Sequence, residues 1–263
     1  MISIASWNIN SVRLRLDLLK NILKKHQFDI ICLQETKTQD QFFPAAELKK
    51  LGYNHLSFRG EKSYNGVAII SKLPFTNEFH WEMCDKNDKR HIAVTLENNL
   101  TIHNFYIPAG GDEPDIKINP KFAHKLDFVD EMTSRFAAEK NLQNTVILGD
   151  FNIAPLEHDV WSHKQLLNVV SHTPIEVEKL TKLKTSKNWL DAHRHFVNEN
   201  EKLYSWWSYR ARDWAASNRG RRLDHIWLTP DLKAKLQAAN IYKDTRGLER
   251  PSDHAVLSIS LKP

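Results

Sequence analysis

Hydrophobic positions fall in short blocks along this chain. "ISIASW" (2–7), "FDIICLQE" (28–35), "GVAIIS" (66–71) and "HIAVTL" (91–96) are each too short for an independent helix and read as strands. "LTIHNFYI" (100–107), "TVILGD" (145–150), "RLDHIWL" (222–228) and "AVLSISL" (255–261) read the same way. "ENN" joins the fourth and fifth blocks as a hairpin. Elsewhere the period lengthens. Leu14, Leu18, Leu19, Ile22 and Leu23 share one helical face, and Lys20, Lys24, Lys25 and His26 crowd its end, where cations suit the helix dipole. "AAELKKLG" is a short helix stopped by Gly52, and 121–140 is a long amphipathic one. In "TPIEVEKL" Thr173 caps a helix, Pro174 suits its first turn and Glu176 completes a capping box. The weak pattern over 154–172 reads as loop. Strands and helices mix without strict alternation, which predicts α/β layers with mixed sheets rather than a doubly wound parallel sheet. No repeat or Gly/Ser linker interrupts the pattern, so 1–263 is expected to form a single catalytic domain.

Composition narrows this. With 41% hydrophobic residues the chain can bury a large core, and only 8 glycines and 10 prolines argue against disorder. The 37 basic and 32 acidic residues leave +5, which favours a polyanionic partner such as nucleic acid. Cys32 and Cys84 make neither a disulfide framework nor a zinc pair, and Cys32 reads as a buried thiol. "MISIASWNIN" lacks the features of a signal peptide, and no apolar run spans a bilayer. The expectation is a soluble, cytoplasmic protein without a membrane partner.

The candidate chemistry sits where apolar strands end. "SWNIN" ends in Asn8 and Asn10, "ICLQET" in Glu35, "HNFYIP" in Tyr106 and "ILGDFN" in Asp150 and Asn152. "RLDHIW" carries Asp224, and "PSDHAV" places Asp253 and His254 before the last strand. One aspartate after a strand is usually a turn former. Several such residues at strand ends could meet on one rim of a sheet. Carboxylates near an interior are costly unless paired, hydrogen-bonded or metal-bound. A meeting of Glu35, Asp150, Asp224 and Asp253 would be rich in oxygen and poor in sulfur, which suits Mg²⁺ or Mn²⁺. With amides, a histidine and a tyrosine beside it, such a site fits hydrolysis of a phosphate ester.

"WNIN", "LQETK", "YNGVAI", "LGDFNIAP", "RGRRLD" and "PSDHA" occur in the order found in the exonuclease III family of DNA repair nucleases and abasic (AP) endonucleases, which the chain resembles from Trp7 to Ala255. The resemblance implies a four-layer α/β sandwich, two mixed β-sheets flanked by helices. It implies Mg²⁺-dependent cleavage of double-stranded DNA at abasic sites and from 3′ ends, as in base excision repair. Nothing in the sequence suggests more than a monomer. Carried over motif by motif, Glu35 would be the main metal ligand with Asn10 nearby, Asn8 would order the site, and Asp253 would lie on the metal side. Asp150 would activate the attacking water, and Asn152 would hold the phosphate or that water. Tyr106 would contact the phosphate, and His254, oriented by Asp224, would hydrogen-bond to it. The set expected around the metal is Asn8, Asn10, Glu35, Asp150, Asn152, Asp253 and His254. The catalytic set is Tyr106, Asp150, Asn152, Asp224 and His254.

The segment "YSWWSYRARDWAASNRGRRLDHIW" interleaves Trp206, Trp207, Tyr209, Trp214 and Trp227 with Arg210, Arg212, Arg219, Arg221 and Arg222. It reads either as an aromatic hairpin with a solvated basic face or as a DNA surface where arginines meet phosphates and an aromatic packs on a displaced sugar or base. By the resemblance, Trp206, Arg221 and Leu223 fall near a pocket for an extrahelical deoxyribose. Two positions depart from the family pattern: Arg221, where a bulky apolar residue is usual, and Ala109, in a loop that more often carries asparagine or glutamine. Two other readings remain at this stage. One is a superfamily cousin hydrolysing a small phosphoester; the other is a non-catalytic nucleic-acid binding module.

Overall fold

The computed structural model describes residues 1–211 and 213–263; Arg212, expected on the DNA surface, lies outside them. The first strands are β1 (Ile2–Asn8), β2 (Ile30–Gln34), β3 (His55–Glu61), β4 (Tyr64–Ser71) and β5 (Phe75–Phe79). There follow β6 (His91–Leu96), β7 (Thr101–Tyr106), β8 (Thr145–Asp150) and β9 (Leu190–Asp191). The last are β10 (Trp206–Trp207), β11 (Gly220–Arg221), β12 (Asp224–Leu228), β13 (Leu236–Tyr242) and β14 (Val256–Leu261). Helices are α1 (Leu16–His26), α2 (Ala45–Lys49), α3 (Pro120–Ala138), α4 (His163–Leu166), α5 (Pro174–Ser186), α6 (Ala192–Phe196) and α7 (Trp214–Ser217).

Two six-stranded sheets form, ordered β13-β14-β1-β2-β4-β3 and β5-β6-β7-β8-β12-β9, with β10-β11 as a separate ribbon. Both sheets are mixed: β1–β2 and β7–β8 are parallel, and the other pairs are antiparallel. Side chains alternate across a strand, and here both faces are covered. Ile4, Cys32 and Ile69 of the first sheet meet Ile102, Val146, Leu148 and Ile226 of the second in the central core. The alternate residues Ala5, Ile31, Leu33 and Ile70 pack beneath Leu19, Ile22 and Leu23 of α1. Phe105, Ile147 and Trp227 pack beneath Phe128, Val129 and Met132 of α3 and Leu180 and Leu183 of α5. The result is the expected four layers: helix, sheet, sheet, helix.

The central strands match the sequence reading; the edge strands β3, β5, β9 and β13 are not among its strands. Each has at most one buried position, so its apolar period is faint. Within the expected loop 154–172 there is also the four-residue helix α4. Helix α3 starts at Pro120 because the Asn119 side chain accepts from the amides of Lys121 and Phe122. The capping box of α5 forms as read. Both cysteines are free. Among the described residues no helix is long and apolar enough to cross a membrane.

Candidate active site

Sheet register brings the polar strand ends together. β1 and β2 run parallel and end at Asn8 and Gln34, while β7 and β8 run parallel and end at Tyr106 and Asp150. β12 is antiparallel to β8 with Asp224 opposite Asp150, so it begins where β8 ends. β14, antiparallel to β1, likewise begins at that rim, just after His254. Asn8 closes the rim between the sheets: its Nδ2 donates to Glu35 Oε1 at 2.9 Å and to Asp150 Oδ2 at 2.8 Å. The close approach of β7 and β8 requires Gly149, since a Cβ there would stand 1.9 Å from the Phe105 carbonyl oxygen.

The turns leaving these strands are bent sharply. Asn10, Glu35, Lys37 and Asn152 all hold φ between 48° and 55°, a conformation that costs a non-glycine residue about 1 kcal/mol or more. Their neighbours fix it. Ser11 N–H donates to Glu35 O, and Lys37 N–H donates to Asn65 O. Gly66 of "YNGVAI" lies so close behind that a Cβ would meet Thr36 Oγ1 at 2.2 Å. The strand ends are therefore pre-organised.

One line of groups crosses the rim. Ser205 Oγ donates to Asp224 Oδ2 at 2.6 Å, His254 Nδ1 lies 2.8 Å from the same oxygen, and His254 Nε2 lies 3.7 Å from Asp150 Oδ2. All three ionisable side chains are buried. Burial opposes the imidazolium, but Asp224 and Asp150 outweigh it, and the His254 pKa rises to about 10. Burial also lifts the Asp150 carboxyl, helped by the charge of Asp224 and opposed by His254 and Asn8. Asn152 N–H donates to Asp150 Oδ1 at 3.0 Å, and its Nδ2 donates to Ile107 O at 2.9 Å.

Glu35 anchors a second cluster. Its Oε1 accepts from Tyr106 Oη at 2.9 Å, and its Oε2 lies 2.6 Å from Lys37 Nζ. Burial raises the Glu35 pKa, yet Lys37 and the Asn8 hydrogen bond bring it below the usual value. Lys37 Nζ also donates to Asn10 Oδ1 at 2.7 Å. Asn10 Nδ2 approaches Asp253 Oδ1 at 3.4 Å. Glu35 and Asn10 thus already turn oxygens toward one positive charge, as a hard-cation site requires. Asp150, Asp224 and His254 form a second compact group, with ligand atoms within 4.8 Å of one another. There, however, His254 Nδ1 is already engaged by Asp224. Asn8 spends its amide on two carboxylates and its Oδ1 on Asn10 N–H, which makes it an organiser rather than an oxygen ligand.

A cleft of about 750 Å³ opens beside these groups, reached by Glu35, Asn152, Asp253 and His254. Its far wall holds Trp161, Trp206, Arg210, Arg219, Arg221 and Leu223. The ribbon β10–β11 supplies Trp206 and Arg221 of this wall and is bolted to the segment before β14: Trp207 N–H donates to Asp253 O, and Ala255 N–H donates to Ser205 O. Trp206 Nε1 donates to Asp253 Oδ2 at 2.9 Å. Arg219 lies over the Trp161 ring at 4.7 Å and Arg221 over the Trp206 ring at 5.4 Å. Arg221 donates to Val170 O and Ser171 Oγ at 3.1 and 2.8 Å, so its side chain is pinned in the cleft wall.

Arg222 is the clear correction. It is 1% exposed and cannot meet DNA. Its Nε and Nη2 bind both oxygens of Asp159, and its Nη1 binds Asp191, at 2.7–2.8 Å. Trp207 and Trp227 are likewise core residues. Sequence reasoning gave no role to Lys37, Ser205, Trp161 or Ser171. Lys37 alone carried a signal, as a lysine two places after a strand-end glutamate.

Residues 5–254 match the Endonuclease/Exonuclease/phosphatase family. The chain is 31% identical to exodeoxyribonuclease III of Haemophilus influenzae, over 98% of each chain. An AP endonuclease from Archaeoglobus fulgidus superposes with a TM-score of 0.92 at 29% identity, covering all of both chains. The 3′ phosphatase NExo from Neisseria, bound to a product DNA hairpin, gives 0.91 at 30% identity, again over both whole chains.

Proposed function

The chain belongs to the Endonuclease/Exonuclease/phosphatase family, and from that premise we propose that it is a single-domain, metal-dependent DNA phosphodiesterase of base excision repair. It incises the backbone 5′ to abasic sites, degrades duplex DNA from 3′ ends, or does both. The observation that carries this reading is the buried Asp224–His254–Asp150 line facing the Glu35–Asn10 cation niche at the mouth of an arginine–tryptophan cleft. A binding module has no use for carboxylates aimed at phosphates, which they repel.

Glu35, Asn10 and Asp253 are the residues that would hold the cation, with Mg²⁺ the proposed ion and Mn²⁺ its substitute. When bound, such an ion polarises phosphate oxygens and stabilises charge on the departing oxygen. The protein's own groups do the rest. Asp150, held from both sides by Asn8 and the Asn152 amide, accepts a proton from the attacking water. His254 keeps its proton because two carboxylates face it, and it donates from Nε2 to a phosphate oxygen. Asp224 fixes its orientation through Nδ1. Tyr106, whose hydroxyl points at Glu35, and Asn152 hold the phosphate in line. Positioning and charge stabilisation supply most of the rate. Arg210, Arg219 and Trp206 meet the DNA backbone and the displaced sugar.

The test is cleavage of a duplex with one abasic-site analogue, beside an undamaged duplex with a recessed 3′ end, each with Mg²⁺ and with EDTA. Mg²⁺-dependent cleavage of either supports the reading, and the balance between them defines the substrate. No cleavage of either, with turnover of a small phosphoester, overturns it.

A further inference from the structure

Helix α3 carries a lysine on its buried face. Lys125 stands among Phe122, Leu126, Phe128 and Val129 and is fully enclosed. An ammonium in such a place is costly unless its protons are used, and these are. Nζ donates to Asn152 O at 2.8 Å and to Ala109 O at 3.3 Å, and it pairs with the equally buried carboxylate of Glu176. Glu176 in turn accepts from Ser171 N at 2.9 Å, Thr173 N at 3.1 Å and Thr173 Oγ1 at 2.7 Å. Ser171 Oγ accepts from Arg221 in the cleft wall.

One ion pair therefore touches three separate segments: the loop after β7, the turn after β8 and the 169–173 wall of the cleft. The turn after β8 is the one that needs holding, because Asn152 sits at φ 55°. Asn152 makes its own contacts on one side, to Asp150 and Ile107. Lys125 supplies the contact on its carbonyl.

We propose that Lys125, paired with Glu176, is a positioning residue that sets Asn152 against the phosphate and ties it to the cleft wall bearing Ser171 and Arg221. This rests on the phosphodiesterase reading above. Its consequence is that the pair acts on turnover more than on DNA affinity, since neither side chain reaches the cleft surface.

The experiment separates position from stability. Lys125→Met strands a buried carboxylate and should lower Tm by about 10 °C. Lys125→Met/Glu176→Gln removes both charges, keeps an acceptor for the helix cap and should regain most of that Tm. Single-turnover rates are then measured on the incised duplex for wild type, Asn152→Ala, the double variant and the triple combination. The expected result is a double variant slowed about 10- to 100-fold, the scale of a small misplacement, with DNA affinity, measured by binding in parallel, within about threefold of wild type. In the Asn152→Ala background the same pair of substitutions should add little, because both act through one residue. A double variant with wild-type turnover, or a triple variant whose losses multiply in full, overturns the proposal. If the double variant fails to fold, Glu176→Gln alone gives the same comparison with Asn152→Ala. A wild-type chain that cleaves no duplex, or an Asn152→Ala variant with normal rate, sinks the site reading itself and is distinguishable from either.

Discussion

Replacing Asp224 by asparagine removes one charge while keeping the shape of the side chain. In the native protein Asp224 supplies His254 with both a charge and a hydrogen bond at 2.8 Å, and with Asp150 it lifts the imidazole pKa to about 10 against burial. In Asp224→Asn the main remaining opposition to the cost of burying the cation is Asp150, 3.7 Å from Nε2, with a weaker contribution from Asp253. The imidazole pKa should then fall, each unit corresponding to about 1.4 kcal/mol and a tenfold change in charged fraction. Lost orientation compounds this, so turnover at pH 8 should fall about 100- to 1,000-fold, with a smaller deficit at pH 6. The sign is specific. The wild-type rate should fall off as pH rises through about 10, whereas the alkaline limb of the variant should move to lower pH. The assay is a single-turnover pH–rate profile on a duplex with one abasic analogue, with DNA binding measured in parallel. A variant profile parallel to wild type, its alkaline limb unmoved, would refute the assigned role whatever its absolute rate.

Other consequences are tested more simply. Arg222→Met leaves Asp191 buried without its cation and Asp159 with Arg194 as its one remaining arginine, and urea unfolding should show a loss of about 3–5 kcal/mol, whereas the exposed Arg219→Ala should lose almost none. In DNA binding the order reverses: Arg219→Ala and Arg210→Ala should each flatten the plot of log K against log salt by about 0.9, and a flat wild-type response would exclude this arginine surface. Burial depresses His103 and His225 to about 3 and His193 to about 4. The folded state therefore binds fewer protons than the unfolded state below the ordinary histidine pKa, and stability should fall as pH drops from about 6.5 toward 4, by up to about 1.4 kcal/mol per unit per group. A urea midpoint constant over that range would show that these rings are not held neutral.

The central strands were legible because both faces are buried, which leaves an apolar run that no loop would tolerate. Edge strands β3, β5 and β13 bury little and left no such run. Each site residue could be picked out as a polar group ending an apolar block, but their meeting depends on register: Asp224 comes to Asp150 only because β12 runs antiparallel to β8. Arg222 misled for the opposite reason. Its partners Asp159 and Asp191 lie 63 and 31 residues away in sequence, so a buried arginine in "RGRRLD" looks no different from its exposed neighbour Arg219. Lys125 was readable in principle, as a lysine breaking the apolar stripe of a helix, and its meaning required the turn of Asn152 beneath it.

The most direct test of the account is Asp150→Asn on a duplex carrying one abasic-site analogue, under single turnover with Mg²⁺ and with binding measured beside it. The substitution keeps the shape of the side chain but removes the proton acceptor, and it leaves one oxygen where two accept from Asn8 Nδ2 and the Asn152 amide. Incision slowed by about 100-fold or more with DNA affinity retained is the expected result. Incision near the wild-type rate would contradict the claim that this strand end activates the attacking water.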